Sequence, residues 1–157
     1  MHTLERIQHL QADIRTVWDF VKAPANLDRI TPPWLGFSIV SNVPETMTNG
    51  LIVCYRIRLP LLGRQSWVTE IKHIREPHIF VDEQRLGPYR FWYHHHELKP
   101  SENGVTMVDT VHYKLPFGPL GNIAHALAVR PALDAIFDYR FKALDHIFNS
   151  TQKGHAL

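Results

Sequence analysis

Residues 80–113, FVDEQRLGPYRFWYHHHELKPSENGVTMVDTVHY, decide the fold predicted for this chain. The region reads as three β-strands over residues 78–86, 89–98 and 104–115, separated by the turn signals Gly87-Pro88 and Glu102-Asn103-Gly104. Connections this short indicate antiparallel neighbours, since a parallel crossover needs about a dozen or more residues. The sequence therefore predicts a continuous antiparallel meander in this half of the chain.

Polar residues recur along these three strands at every second position, among large apolar ones. Successive side chains of a strand point to opposite faces, so residues two apart share a face. If Phe80, Trp92 and Met107 face the interior, the same parity turns five polar side chains inward: Asp82, Gln84, His94, His96 and Asp109. Neighbouring strands lie roughly 4.8 Å apart, so cross-strand His–Asp pairs are geometrically reasonable.

The rest of the chain supplies further strands and the helices. Strand patterns over residues 2–10, 36–42, 50–59 and 64–74 bring the sheet to seven strands. Asp13 is expected to cap an amphipathic helix over residues 14–22, and residues 24–30 form a second short helix. A last helix is predicted over about residues 119–149, interrupted by Pro131, which should kink or split it. Its apolar face before the proline consists of Leu120, Ile123 and Leu127.

These elements predict an α+β fold in which a curved seven-stranded antiparallel sheet wraps around the long C-terminal helix. Two short helices after strand 1 close one end of it. One domain spans residues 1–149, followed by a polar tail over residues 150–157. A cavity between sheet and helix is expected. The candidate ligand-binding residues are Trp67, Thr69, Asp82, Gln84, Trp92, His94, His96, Met107, Asp109, Phe137, Arg140 and Phe141.

Two groups of motifs resemble a known superfamily: Asp82-x-Gln84 with Gly87-Pro88-Tyr89 and Trp92-x-His94-x-His96, and Met107-x-Asp109-x-Val111-x-Tyr113 with Pro116-x-Gly118. With the element order β-α-α-β6-α, they resemble the START-like or SRPBCC superfamily, which has the helix-grip fold and includes the polyketide cyclase/dehydrase group. More narrowly, they resemble a bacterial ligand-binding branch whose module also occurs fused to an epimerase-like domain described as a cell-division inhibitor. The resemblance implies the fold more strongly than the function, because the superfamily spans carriers, receptors, enzymes and chaperones.

The expected function depends on how the inward polar set is interpreted. Buried carboxylates and imidazoles need partners, so the set can be a hydrogen-bonded network that holds the strands in register. It can instead orient the polar end of a small or medium hydrophobic or amphipathic ligand, with Arg140 available for a ligand carboxylate. Two further alternatives are acid–base catalysis of cyclase or dehydratase type, by a histidine that Asp82 or Asp109 orients, and metal binding by His94, His96 and Asp109. We expect ligand binding, with neither a metal nor a cofactor.

Composition argues against several other classes of protein. A net charge of +2 over 157 residues is too small to favour a nucleic-acid partner. The single cysteine, Cys54, leaves no intramolecular disulfide and no cysteine-rich zinc motif. No apolar run is long enough for a membrane span, and the N-terminus lacks the features of a signal peptide, so we expect a cytoplasmic protein. We expect a monomer or weak homodimer. A non-catalytic module that binds a partner protein remains the alternative to ligand binding or catalysis.

Overall fold

Seven strands with alternating apolar residues form one antiparallel sheet. A computed structural model describes residues 1–59, 63–116, 118, 121 and 125–150. The strands are β1 (His2–Leu10), β2 (Ser38–Ile39), β3 (Ile52–Leu59), β4 (Gly63–Arg75), β5 (Ile79–Leu86), β6 (Phe91–Ser101) and β7 (Gly104–Lys114). Their order across the sheet is β1-β7-β6-β5-β4-β3-β2, so the first strand of the chain pairs with the last one. The predicted meander and its closure by the first strand are both confirmed.

Strands β6 and β7 form a long hairpin that sets the faces of the sheet. They pair from Phe91 opposite Lys114 to Ser101 opposite Gly104. Along β6 the buried residues alternate with more exposed ones, and the same is true along β7. The parity predicted for these strands is therefore confirmed. Register shifts between Val68 and Thr69 and between Lys72 and Arg75 interrupt the pairing of β4 with β5, and such bulges bend the strands that carry them.

The helices begin and end where the local chemistry favours it. Helix α1 (Ile14–Val21) is capped as predicted, because the Asp13 carboxylate accepts a hydrogen bond of 3.0 Å from the Thr16 amide. Two 3-10 helices follow, at Pro24–Ile30 and Pro33–Leu35. Helix α2 (Arg130–Phe148) follows a π-helical turn, His125–Val129. Pro131 lies in the first turn of α2, directly after this π-helical turn, so the proline stands where the helix changes type.

Helix α2 packs across the inner face of the sheet. Arg6 of β1 donates to Asp134 at 2.6 Å, and Gln8 donates to the backbone carbonyl of Phe141 at 2.8 Å. One apolar cluster surrounds Trp18 and Leu144, and a second surrounds Trp92 and Phe137. The result is the α+β helix-grip fold that the sequence predicts. No helix among the described residues is long and apolar enough to cross a membrane.

Three predicted details are wrong or lie outside the described residues. The strand predicted over residues 36–42 is reduced to the two residues of β2, because the amides of Val40 and Ser41 both bond to the carbonyl of Cys54 and the regular ladder stops. Leu127, predicted on an apolar helix face, is 77% exposed in the π-helical turn. The predicted helical residues 119, 120 and 122–124 and the tail residues 151–157 lie outside the described part of the chain.

Gly104, the first residue of β7, offers a direct test of how closely the hairpin approaches β1. Its φ is +143°, and an added Cβ would collide with the backbone carbonyl oxygen of Leu10. We expect Gly104→Ala to lower the free energy of unfolding by about 2 kcal/mol or more. Gly50→Ala is the matched control, since Gly50 also has a positive φ but no atom within 4 Å of an added Cβ. Urea denaturation of both variants measures the difference, and equal losses would contradict the close approach.

Candidate functional site

A cavity of about 200 Å³ lies between the sheet and helix α2. Its wall is mostly apolar and is built from β3 to β7, the short helical segments after β1, and α2. Strand residues reach the cavity because they share the inward parity of their strands. Val53 and Ile57 show this on β3, and Trp67, Thr69 and Ile71 show it on β4. The predicted cavity between sheet and helix is therefore present.

Four of the predicted polar residues form a compact ring at the cavity wall, which we call the His–Asp box: Asp82, His94, His96 and Asp109. Asp82 Oδ2 lies 3.2 Å from His94 Nδ1 and 2.8 Å from His96 Nε2. Asp109 Oδ1 lies 2.9 Å from His94 Nε2 and 2.7 Å from His96 Nδ1. Each carboxylate thus contacts both imidazoles, and each imidazole contacts both carboxylates.

Strand register produces this arrangement. Asp82 stands directly opposite His94 across β5 and β6, and His96 stands directly opposite Asp109 across β6 and β7. The two best hydrogen bonds nevertheless run diagonally, from His94 Nε2 to Asp109 and from His96 Nε2 to Asp82. The remaining His96 Nδ1 contact is short but poorly aligned, so this buried nitrogen has no hydrogen bond of ordinary geometry among the described residues.

Aromatic side chains hold the box from several directions. The Phe80 ring stacks on His96 with centroids 4.0 Å apart and an interplanar angle of 9°. Phe137 of α2 meets the His94 ring at 61° with a centroid distance of 5.5 Å. The Trp92 indole donates to Asp82 Oδ1 at 3.3 Å. These contacts leave the two imidazoles little freedom to rotate.

Electrostatic interactions within the box favour negative charge on the two carboxylates and positive charge on His94. Burial would raise the pKa of the Asp109 carboxyl, but the charges and hydrogen bonds of His96 and His94 outweigh burial and hold that pKa well below its ordinary value. The same balance lowers the pKa of Asp82. Burial would lower the pKa of His94, but Asp82 and Asp109 together raise it above its ordinary value. His94 therefore holds its second proton more tightly than an ordinary histidine does, and in the imidazolium form both of its nitrogens can donate.

This arrangement limits the chemistry available to the box. A general base needs a nitrogen lone pair that a substrate can reach, and both nitrogens of His94 face carboxylates. Asp82, His94 and His96 offer ligand atoms that all lie within 4.8 Å of one another, which suits a divalent cation such as Zn²⁺. Such an ion would have to replace the protons that now join these residues. The metal site that the sequence analysis considered as an alternative contained Asp109, whereas the compact group contains Asp82.

Most of the predicted ligand-binding residues lie on the cavity wall, and three do not. Gln84 hydrogen-bonds the backbone of Tyr89 with both its amide atoms and so ties the β5–β6 turn. Asp109 lies behind the two histidines and reaches the cavity only through them. Phe141 lies at the edge of the buried stripe of α2 and is 42% exposed. The residues found on the wall are Trp67, Thr69, Asp82, Trp92, His94, His96, Met107, Phe137 and Arg140.

Tyr55 is a polar residue of the cavity wall that the sequence analysis missed. Its hydroxyl lies 3.0 Å from Thr69 Oγ1, and the Trp67 indole donates to the same oxygen at 3.0 Å. Tyr55 shares the parity of Val53 and Ile57 on β3, and that signal was sufficient to place it inward. The wall residues from the 3-10 helices, such as Leu27 and Leu35, carry no comparable periodic signal.

No protein-family profile and no curated protein sequence matches this chain. Solved structures do match its fold. The protein Ms6760 from Mycobacterium smegmatis has a TM-score of 0.67 at 15% identity, covering 95% of this chain and 92% of that one. The protein TTHA0849 from Thermus thermophilus has a TM-score of 0.66 at 15% identity, covering 92% of this chain and 95% of that one. The nucleoside-diphosphate sugar epimerase from Corynebacterium glutamicum has a TM-score of 0.65 at 20% identity, covering 90% of this chain and 28% of that one. At these identities the likeness establishes the fold alone.

Proposed function

We propose that this helix-grip domain binds a small, largely apolar molecule in the cavity between its sheet and helix α2. The observation that carries the proposal is the cavity itself, whose wall combines apolar side chains with a few polar groups held by the strands. Binding sites for small molecules have this composition, because apolar contact supplies affinity and a few polar groups orient the ligand.

The cavity volume favours the small end of the predicted ligand range. Pockets for drug-sized ligands usually span roughly 300–1,000 Å³, whereas an apolar cavity of about 150 Å³ accommodates benzene. At about 200 Å³ the cavity suits one substituted ring or a short acyl chain. A long-chain lipid would require the helix and sheet to separate, which the contacts of Arg6 and Gln8 with α2 oppose.

We also infer that this domain belongs to the SRPBCC superfamily. The helix-grip topology supports it, as do the quoted motifs around Asp82 and His94. The match to a part of the Corynebacterium epimerase is in keeping with the branch whose module occurs fused to an epimerase-like domain. A role as a partner-binding module has less support than ligand binding, because that role predicts a cavity too small or collapsed for any ligand.

Catalysis by the His–Asp box has less support than binding. Both nitrogens of His94 contact carboxylates, and Nε2 of His96 donates to Asp82. Only Nδ1 of His96 lacks an aligned partner among the described residues, and that nitrogen lies 2.7 Å from Asp109. The box is therefore better suited to contact a ligand as a fixed polar surface than to transfer protons.

A ligand panel tests the binding proposal. We expect some single-ring aromatic or short-chain apolar compound to raise the melting temperature of the delipidated protein. At a concentration 100 times Kd, binding adds about 2.7 kcal/mol, or roughly 5–10 °C for a chain of this size. Differential scanning fluorimetry gives the shift, and isothermal titration calorimetry gives the affinity.

A matched pair of variants shows whether such a shift comes from the cavity. Val53→Trp places an indole in the cavity, since Val53 is buried on its wall, and should abolish the ligand-dependent shift. Val40→Trp makes the same change at a position that is 52% exposed and should preserve the shift. A shift that survives Val53→Trp, or no shift with any compound, would refute binding in this cavity.

A further inference from the structure

Arg140 of α2 is a cationic side chain on the cavity wall that has no anionic partner in the described part of the chain. Its guanidinium carbon lies 5.5 Å from the centroid of the Phe137 ring. Among the described residues no carboxylate forms an ion pair with it, whereas Arg6 and Arg130 both pair with Asp134. A partly buried guanidinium beside an apolar cavity binds a carboxylate well, because its planar fork matches two carboxylate oxygens.

A spare hydroxyl hydrogen faces the same cavity. Tyr55, Thr69 and Trp67 bring three hydrogens to their chain of contacts: two hydroxyl hydrogens and one indole N–H. The chain contains two hydrogen bonds, from Trp67 to Thr69 and between Thr69 and Tyr55. If Tyr55 donates to Thr69, the Thr69 hydrogen remains, and if Thr69 donates, the Tyr55 hydrogen remains. In both arrangements one donor is left without a partner among the described residues, and all three side chains line the cavity.

The spare donor and the guanidinium act on the same region of the cavity. Burial and the charge of Asp82 raise the pKa of Tyr55, while the hydrogen bond with Thr69 and the charge of Arg140 oppose them. Arg140, Tyr55 and Thr69 line the same cavity, and the charge of Arg140 acts on the Tyr55 hydroxyl. The charge of Asp82 also acts on the Tyr55 hydroxyl, more strongly than that of Arg140, but the Asp82 carboxylate is already paired with His94 and His96, whereas the Arg140 guanidinium has no carboxylate partner among the described residues.

We propose that the ligand is a small apolar carboxylic acid, bound as its carboxylate by Arg140 and by the free hydroxyl of the Tyr55–Thr69 pair. This proposal rests on the proposed function and specifies the ligand class for the same cavity. It also places the polar anchor at Arg140 of α2 and at the Tyr55–Thr69 pair of β3 and β4, and not at the His–Asp box. The remaining apolar wall then receives the ring or chain of the acid.

Matched acid and alcohol probes test the proposal. 3-Phenylpropanoate is compared with 3-phenylpropanol, and octanoate with 1-octanol, by isothermal titration calorimetry at neutral pH. We expect at least one acid to bind roughly 10-fold to 100-fold more tightly than its alcohol, the usual range for hydrogen bonds to charged groups. Arg140→Met should remove that preference and leave the affinity for the alcohol within about twofold of the parent protein.

Control variants separate the anchor from general effects of charge. Lys142→Met removes a cation from the exposed side of the same helix and should leave the acid preference unchanged. Tyr55→Phe leaves the Thr69 hydrogen free, so we expect a smaller loss than in the double variant Tyr55→Phe/Thr69→Val. Melting temperatures show whether each variant is folded.

Each outcome supports or overturns a specific statement. Equal binding of acid and alcohol by the parent protein overturns the carboxylate anchor but leaves ligand binding in place. The same conclusion follows if Arg140→Met keeps the acid preference, or if Lys142→Met loses it equally. If none of the four probes binds, the proposal for an acid ligand is overturned, and the broader panel then decides the proposed function separately.

Discussion

Replacing Asp109 by asparagine is expected to lower the free energy of unfolding by about 3–5 kcal/mol, the usual cost of removing one partner from a buried ion pair. Asp109 is 5% exposed and contacts both imidazoles of the His–Asp box. Asparagine keeps the shape of the side chain and an oxygen that can accept hydrogen bonds, but it removes the negative charge that both imidazoles contact. His94 would then retain a buried charge with half its compensation. Urea denaturation followed by circular dichroism measures the loss.

Asp138→Asn is the matched control for this experiment. Asp138 has a side chain that is 64% exposed and lies 3.7 Å from Arg6, so its ion pair is screened by solvent. We expect the control to lose less than about 1 kcal/mol. A loss in Asp109→Asn no larger than in Asp138→Asn would show that the box does not stabilise the fold.

Stability is expected to depend on pH from both sides, with a maximum between about pH 4 and pH 6.5. The pKa values of Asp82 and Asp109 are lowered below 3.8 in the folded protein, despite burial, by their contacts with the histidines. Their stabilisation is complete above that value and is lost as the pH falls toward the folded-state pKa. On the acid side, the free energy of unfolding falls by up to about 2.7 kcal/mol per pH unit, when unfolding lets both carboxylates take up a proton.

The alkaline side of the profile reports on His94. Its pKa is raised above 6.5 because Asp82 and Asp109 outweigh the effect of burial. The folded protein thus holds this proton more tightly than the unfolded chain, and the stabilisation is complete below pH 6.5 and lost as the pH rises through the folded-state pKa. The slope there is about 1.4 kcal/mol per pH unit for one proton.

Two histidine variants test whether His94 causes the loss of stability at alkaline pH. Denaturation curves from about pH 3 to about pH 9 should show that His94→Gln lacks it, since glutamine does not titrate. His146→Gln, at an exposed position of α2, should keep it. If the slope persists in His94→Gln, the stabilising imidazolium lies elsewhere in the protein.

The inward parity of the sheet could be predicted from sequence because it depends on a local rule. Residues two apart on a strand share a face wherever the strand lies, so Trp92 and Phe80 were enough to turn His94 and Asp82 inward. The same rule predicts that Tyr55 faces the cavity, because it lies two residues from both Val53 and Ile57 on β3. Gln84 has the same parity as Asp82, but its side-chain amide hydrogen-bonds the backbone of Tyr89 at the β5–β6 turn and does not reach the cavity wall.

The helix side of the cavity was harder to predict. Phe137, Arg140 and Phe141 all fall near one apolar stripe at a spacing of about 3.6 residues per turn. Which of them faces the cavity depends on the rotation of α2 about its own axis, and packing against the sheet sets that rotation. The structure turns Phe137 and Arg140 toward the cavity and leaves Phe141 half exposed.

Local patterns in the sequence were sufficient to predict the six long strands, their antiparallel order and the inward face that carries Asp82, His94, His96 and Asp109, because steric alternation and short connections act locally. The sharing of hydrogen bonds among those four residues, the size of the cavity and the position of Arg140 on its wall, with no carboxylate partner among the described residues, became known from the three-dimensional structure. These features depend on distances of a few tenths of an ångström between segments far apart in the chain. Packing of α2 against the bent sheet sets those distances.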